Sequence, residues 1–417
     1  MIKKYFWEIL LVMLLFVSDL IAKSEIIESK VLSSDKFNIS DIASADLFVD
    51  GNDNVFVEVA GREDFLWLNN KWVSTEKYGG YLKGFVKDGC VYLAFRKNRQ
   101  NIDIYSVGKD IIIENHITID DSDFLVNSTI NRVVFVPGDN NASYLLGSKA
   151  QLPFGTIISS GHGPSYEKPV LAEIQGQKVL EHEKLPYGGK TDESYHVKKV
   201  LTGKDAIYFF GFKVTSVPAP EILHYAEYNV KKRKLIRAQD IYEKLPDFNK
   251  SDKPRNLYID LSSYWHVSAD NFNDDLYVAF SWHGFRFFRN ENSAPKINME
   301  NINSPIYYSQ SSGKEFSNIE VIGRGILPLV RTDSLGNVHV IWSNSNGDLV
   351  HKLKKGDKWS EEQIILNNVI DTGEVWEDMR QVELCLQNVS AEFDKNNNLN
   401  VVFLSNENLV LAKIKFD

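Results

Sequence analysis

Leu329-Val330-Arg331-Thr332-Asp333-Ser334-Leu335-Gly336-Asn337-Val338-His339-Val340-Ile341-Trp342 reads as two short strands joined by a tight turn. Asp, Gly and Asn at the turn supply side-chain hydrogen bonds and left-handed backbone, and the β-branched, alternating run after it is strand chemistry. A third strand is expected at Leu349-Val350-His351-Lys352, after the turn 344–348, and a fourth at Gln363-Ile364-Ile365-Leu366, after 356–360. The unit is therefore a four-stranded antiparallel meander of about forty residues, the size of one propeller blade.

The same order recurs along the chain. Strand–turn–strand units read at 45–59 around Asp50-Gly51-Asn52-Asp53-Asn54, at 82–95 around Lys87-Asp88-Gly89, at 265–282 around 270–275, and at 390–404 around 394–398. Looser copies begin near Phe124 and Tyr195, giving about seven repeats. The last copy has room for three strands, and Glu25–Leu32 is a spare candidate strand that would complete it and remove an open edge. The expectation is an all-β propeller of about seven four-stranded blades, closed by the N-terminal strand. The nearest approach to a helical stripe, Ala238–Leu245, is short enough to be one or two turns in a loop. Long insertions are expected at 151–164, 187–194, 242–263 and 285–304.

With 417 residues, 43% hydrophobic and 12% aromatic, the chain is not disordered, and no linker divides it. A net charge of −9 argues against nucleic acid as a partner, because such proteins need a basic face. Lys3 and Lys4, the apolar run 9–17 and Ile21-Ala22 before Lys23-Ser24 have the layout of a secretory signal, so residues 1–22 are read as a signal peptide and 23–417 as one propeller domain. Glu8 and Asp19 flank too short an apolar stretch for a stable membrane span. The expected location is secreted, periplasmic or extracellular. Cys90 and Cys385 read as small buried hydrophobes in preference to a disulfide. Asn38, Asn127, Asn141, Asn249 and Asn388 begin glycosylation sequons, which matter only in a glycosylating host.

Asp333–Trp342, with Lys358-Trp359-Ser360 behind it, resembles the sialidase-like, BNR-repeat-like propellers. The Ser-x-Asp-x-Gly-x-Thr-Trp box of sialidases is absent from every turn, and three equivalent arginines do not stand out. Among propellers lacking that box, the chain looks like secreted polysaccharide lyases and related glycan-acting proteins. That resemblance implies a polysaccharide or other glycan ligand and a site of His, Tyr and Arg over the central channel.

Ser194-Tyr195-His196-Val197 and Ser263-Tyr264-Trp265-His266-Val267 open two inner strands alike, which would set His196 and His266 at similar depths. Trp282-His283-Gly284-Phe285-Arg286 gathers a cation, an imidazole and an aromatic wall at the start of a long insertion, and Gly161-His162-Gly163-Pro164 exposes an imidazole on a turn. In β-elimination from a uronate, one group neutralises the carboxylate, one removes the C5 proton and one protonates the leaving oxygen. Arg286, His196 or His266, and Tyr195 or Tyr264 are the candidates, with His162, Trp282 and His283 holding substrate. A hydrolase would instead use two carboxylates, and Glu183, Asp192, Glu193, Glu374, Glu377 and Asp378 stand in expected loops with no spacing that selects a pair. A noncatalytic binder of glycan or protein would use Trp67, Trp72, Trp359 and Trp376 as platforms. No metal is expected, since ligand spacings such as His-x-x-x-His and Cys-x-x-Cys are lacking, and no cofactor is expected.

Overall fold

The computed structural model describes residues 24–32, 42–61, 63–98, 101–107, 112–120, 129–136, 142–151, 166–175, 177–184, 194–214, 221–244, 259–288, 304–312, 315–316, 318–367, 369, 390–405 and 408–416. Apart from a single 3-10 turn at Glu76–Tyr78, the regular structure of these residues is antiparallel β. In chain order, β1 is Ser24–Val31, and the first complete sheet is β2 (Ile42–Val49), β3 (Val55–Gly61), β4 (Phe65–Leu68) and β5 (Lys71–Ser74). The second is β6 (Gly80–Lys87), β7 (Cys90–Arg96), β8 (Asn101–Val107) and β9 (Ile112–Asp120). The third is β10 (Thr129–Val136), β11 (Ala142–Gln151), β12 (Tyr166–Gln175) and β13 (Lys178–Lys184), and the fourth β14 (Ser194–Thr202), β15 (Ala206–Val214), β16 (Glu221–Asn229) and β17 (Lys234–Lys244).

The next sheet has eight strands: β18 (Ile259–Phe272), β19 (Asp275–Phe288), β20 (Ser304–Ser312), β21 (Glu320–Thr332), β22 (Val338–Ser343), β23 (Leu349–Lys355), β24 (Lys358–Trp359) and β25 (Gln363–Leu366). Last come β26 (Ser390–Phe393), β27 (Leu399–Ser405) and β28 (Asn408–Phe416), with β1 as the fourth strand through antiparallel pairing to β28. The first strands neighbour one another in the cyclic order β2, β6, β10, β14, β18, β21, β26 and back to β2. This is an all-β propeller arrangement.

The blade count expected from the repeats needs correction: five sheets have four strands, and the remaining eight strands form one continuous sheet. The reason is β21, thirteen residues long, whose first part pairs with β20 and whose second part pairs with β22. The strand turns at a bulge between Ile326 and Leu329, with Gly325 at φ 149 and Leu327 at φ 56. The helical reading of Ala238–Leu245 also fails as far as it can be followed, because residues 238–244 belong to β17 and pair with β16 across a bulge. β18 and β19 are fourteen residues each, so the outer parts of the expected insertions at 242–263 and 285–304 are strand.

The repeated turns work as their chemistry requires. Asp333 Oδ1 accepts the backbone N–H groups of Leu335 at 2.9 Å and Asn337 at 2.8 Å, while Oδ2 accepts Asn337 Nδ2 at 2.7 Å. Asp50 with Asn54 and Asp394 with Asn398 repeat the device. Turns of successive sheets also bond to one another: Gly51 N donates to Gly89 O, Ser334 N to Asn397 Oδ1, and Lys395 N to Asp53 Oδ1. The sheets are thus tied together at the end of the channel where first strands pass into second strands.

The apolar core lies between sheets. Phe56, Leu66, Leu93 and Phe95 fill the space between the first two sheets, Tyr144, Phe209 and Tyr228 that between the third and fourth, and Ile341, Val401 and Ala412 that beside the last. Trp67 is buried here, Trp72 donates to Leu32 O at 2.8 Å, and Trp359 donates to Glu320 Oε2 at 2.7 Å against Tyr308. These three tryptophans serve packing, contrary to the platform reading; Trp376 lies outside the described residues. Cys90 is exposed at the start of β7, which corrects its reading as a core residue, and Cys385 lies outside the described residues. So do the expected signal peptide and all five sequon asparagines.

Candidate functional site

A cavity of about 400 Å³ occupies the channel, lined from every first strand: Asp46 to Val49 of β2, Lys83 to Val86 of β6, Val133 to Phe135 of β10, Lys198 to Thr202 of β14, Asn271, Arg331, and Ser390 with Glu392 and Phe393 of β26. Four of its described lining side chains are cationic and two anionic. Two of these cations, Lys83 and Lys199, stand directly after a recurring backbone irregularity. β6 bulges between Tyr81 and Lys83, β10 between Ile130 and Arg132, and β14 between Val197 and Lys199, so a basic residue comes directly after the bulge in three successive sheets. A bulge turns a strand locally and re-aims the side chains beyond it. At Lys83 the backbone takes φ 95, a conformation that costs about 1–3 kcal/mol for a residue with a Cβ and is typical of functional positions.

Arg331 is 7% exposed and fully engaged: Nε donates to Ala391 O at 2.6 Å, Nη1 to Val330 O at 2.8 Å, and Nη2 lies 3.1 Å from Glu392 Oε1. Lys83 Nζ is 3.2 Å from Asp46 Oδ1. Lys199, partly exposed to the cavity, has neither a hydrogen bond nor an ion pair among the described residues. Burial, and then the guanidinium of Arg331, bring its pKa down to about 7, against the opposing pull of Glu392. Glu392 itself is raised by burial despite Arg331. Behind Asp46, its register partner Glu58 is fully buried, with neither carboxyl oxygen bonded to a described residue. Burial and the nearby Asp46 and Asp64 push Glu58 well above the usual carboxylate range.

The residues expected from the sequence fall at the other end of the first strands. Tyr195 and His196 open β14, opposite Lys213 and Phe212 of β15. Tyr264 and His266 lie in β18, where Tyr264 pairs with His283, Trp265 with Trp282, His266 with Ser281, and Leu261 with Arg286. Trp282, His283 and Arg286 thus belong to β19 and not to the insertion expected to begin there, because the β18–β19 pair stays in register to its end. Five of the eight expected residues share one strand pair, and β14 neighbours β18 around the channel. His162 lies outside the described residues. Burial, and then the charge of Lys198, take the His266 pKa down to about 4, so its imidazole is neutral at pH 7. Sequence reasoning missed Lys83, Lys198, Lys199 and Arg331. The signal was a basic residue near the middle of successive inner strands, but a single extra residue in a strand leaves no mark in the alternation. Of the carboxylates weighed for hydrolysis, Glu183 lies in β13, which removes it from the loop set, and the others lie outside the described residues. Among the described residues no cluster of His, Cys, Asp or Glu has a metal-binding arrangement, and no helix is long and apolar enough to cross a membrane.

No protein family model matches the chain, and no curated protein matches it. Solved structures do. The polysaccharide lyase Uly1 is similar at 10% identity over 88% of this chain and 89% of that one, with a TM-score of 0.51. A PL25 ulvan lyase bound to -[GlcA(1-4)Rha3S]- matches at 13% identity over 80% and 81%, TM-score 0.44. The Penicillium chrysogenum α-L-arabinanase complexed with arabinobiose matches at 9% over 94% and 98%, TM-score 0.43. At these identities the likeness is one of fold.

Proposed function

We propose that this chain is an exported, carbohydrate-active propeller whose substrate is an acidic polysaccharide, and that β-elimination is the reaction its residues fit best. The observation that carries the reading is the charge of the channel. In a protein with a net charge of −9, the cavity pairs Lys83 with Asp46 and Arg331 with Glu392 and keeps a positive excess in Lys198 and the protonated share of Lys199, which favours an anionic ligand.

In this reading Arg286 neutralises the uronate carboxylate, which acidifies the C5 proton. His196 or His266 removes that proton, and Tyr195 or Tyr264 delivers one to the leaving glycosidic oxygen as the C4–O bond breaks. His162, Trp282 and His283 hold the sugar. The neutral state of His266 at pH 7 suits a base. Hydrolysis has less support, since Asp46 and Glu392, the carboxylates of the cavity, are each held in an ion pair with a cation.

The test is incubation of the purified chain with a panel of uronic-acid polysaccharides, monitored by the ultraviolet absorbance of the unsaturated product. The reading expects a rise that disappears in the His196→Ala/His266→Ala variant while the fold persists. Activity retained in that variant sinks the residue assignment, and retention of glycan without any rise makes the protein a noncatalytic binder.

A further inference from the structure

We propose that Lys199 is a reactive amine that forms a Schiff base with a small anionic carbonyl compound, an α-keto acid or an aldehyde acid, inside the channel cavity. Three features of the molecule converge on this. The side chain faces a cavity of about 400 Å³, large enough for a ligand of a few heavy atoms. Its amine is not held by any described acceptor, whereas the neighbouring cations are: Lys83 is tied to Asp46, and Arg331 to Ala391 O, Val330 O and Glu392. Arg331 is fixed beside it, and its guanidinium, though held by Ala391 O, Val330 O and Glu392, repels the ammonium form and adds positive potential to the cavity that an incoming acid enters.

The charged groups bearing on the amine are Arg331 and Lys83, which disfavour its protonation, and Glu392 and Asp270, which favour it. Burial and Arg331 prevail, leaving a large share of neutral amine at neutral pH, where an exposed lysine has almost none. The chemistry balances without a further reagent. The lone pair of Nζ attacks the carbonyl carbon, the carbinolamine loses water, and a C=N bond replaces C=O, while the ligand carboxylate remains as an anion among the basic side chains of the cavity. The proposal rests on the channel reading only for the charge of the ligand.

The experiment uses the wild-type chain. Glyoxylate is added at neutral pH with cyanoborohydride, which reduces any imine to a stable carboxymethyl-lysine, and the labelled positions are mapped by peptide mass spectrometry. The expected result is label concentrated on Lys199 at least about tenfold over any exposed lysine, as the difference in neutral fraction implies. That preference should shrink as the pH is raised toward 10, and Lys199 should be labelled less by glycolaldehyde, a neutral aldehyde, at equal concentration. Label spread evenly over exposed lysines overturns the proposal, and equal labelling by glycolaldehyde overturns its anionic part. Polysaccharide retention is measured on the same preparation. Lys199 labelling without retention leaves the amine standing and removes the glycan reading, and retention without labelling does the reverse.

Discussion

Replacing Arg331 with Met removes a cation whose guanidinium spans β21 and β26 from a site 7% exposed. The lost interactions are the 2.6 Å bond to Ala391 O, the 2.8 Å bond to Val330 O and the 3.1 Å pairing with Glu392. Charge-assisted hydrogen bonds contribute about 1.5–3 kcal/mol each, while the pairing with Glu392, whose side chain is 42% exposed, is partly screened by solvent and adds about 1 kcal/mol or less. Glu392, already raised by burial, recovers part of that cost by taking up a proton once Arg331 is gone. The net expectation is a loss of about 3–4 kcal/mol, read from urea denaturation at neutral pH. Adding Glu392→Leu should change this by no more than about 1 kcal/mol, since solvent reaches the carboxyl that Arg331 leaves behind. A loss below about 1 kcal/mol for Arg331→Met, or full recovery in the double variant, would show that this contact does not join the two strands as described.

Three further outcomes rest on the packing. His339 and His351 are buried with their rings bonded at 3.0 Å, and burial depresses both pKa values, so below about pH 6.5 the unfolded chain takes up protons that the folded one refuses. Stability should therefore fall as the pH drops from 7.5 to 5, and His351→Leu should flatten that slope by up to about one proton; an unchanged slope places the titration elsewhere. Gly323→Ala would set a Cβ 2.4 Å from Cζ2 of Trp342, which is fully buried, and should lower the urea midpoint by the equivalent of about 1–3 kcal/mol, whereas a neutral result would mean the ring can move. Ser29 and Ala412 are register partners across β1 and β28, so Ser29→Cys/Ala412→Cys should form a mass-mapped disulfide on mild oxidation, and its absence would argue against closure of the ring by the N-terminal strand.

Much of this fold was legible because it is built from local chemistry. Asp-x-x-x-Asn turns and alternating strands can be read without knowing what they pack against, and Asp50, Asp333 and Asp394 make the hydrogen bonds their type suggests. The illegible part depends on pairing between distant residues. The sharing of β21 between two partners fused what the repeats counted as separate blades, and the pairing of Ala238 with Ala226 turned an apparent helical stripe into strand. The site divides the same way. Tyr264, His266 and His283 stood out by residue type and lie on one strand pair, where Tyr264 and His283 are register partners, whereas Lys199 and Arg331 looked like ordinary basic residues of inner strands until their sheets brought them around one cavity.

The measurement that bears most directly on the channel reading is retention of the chain on uronate or sulfated polysaccharides and on neutral ones, at low and high salt, for wild type and for Lys198→Met/Lys199→Met. The account predicts retention on acidic polymers only, weakened by salt, and reduced about tenfold or more in the variant. Equal retention on neutral polymers, or binding of acidic ones that neither salt nor the two substitutions alter, would contradict it.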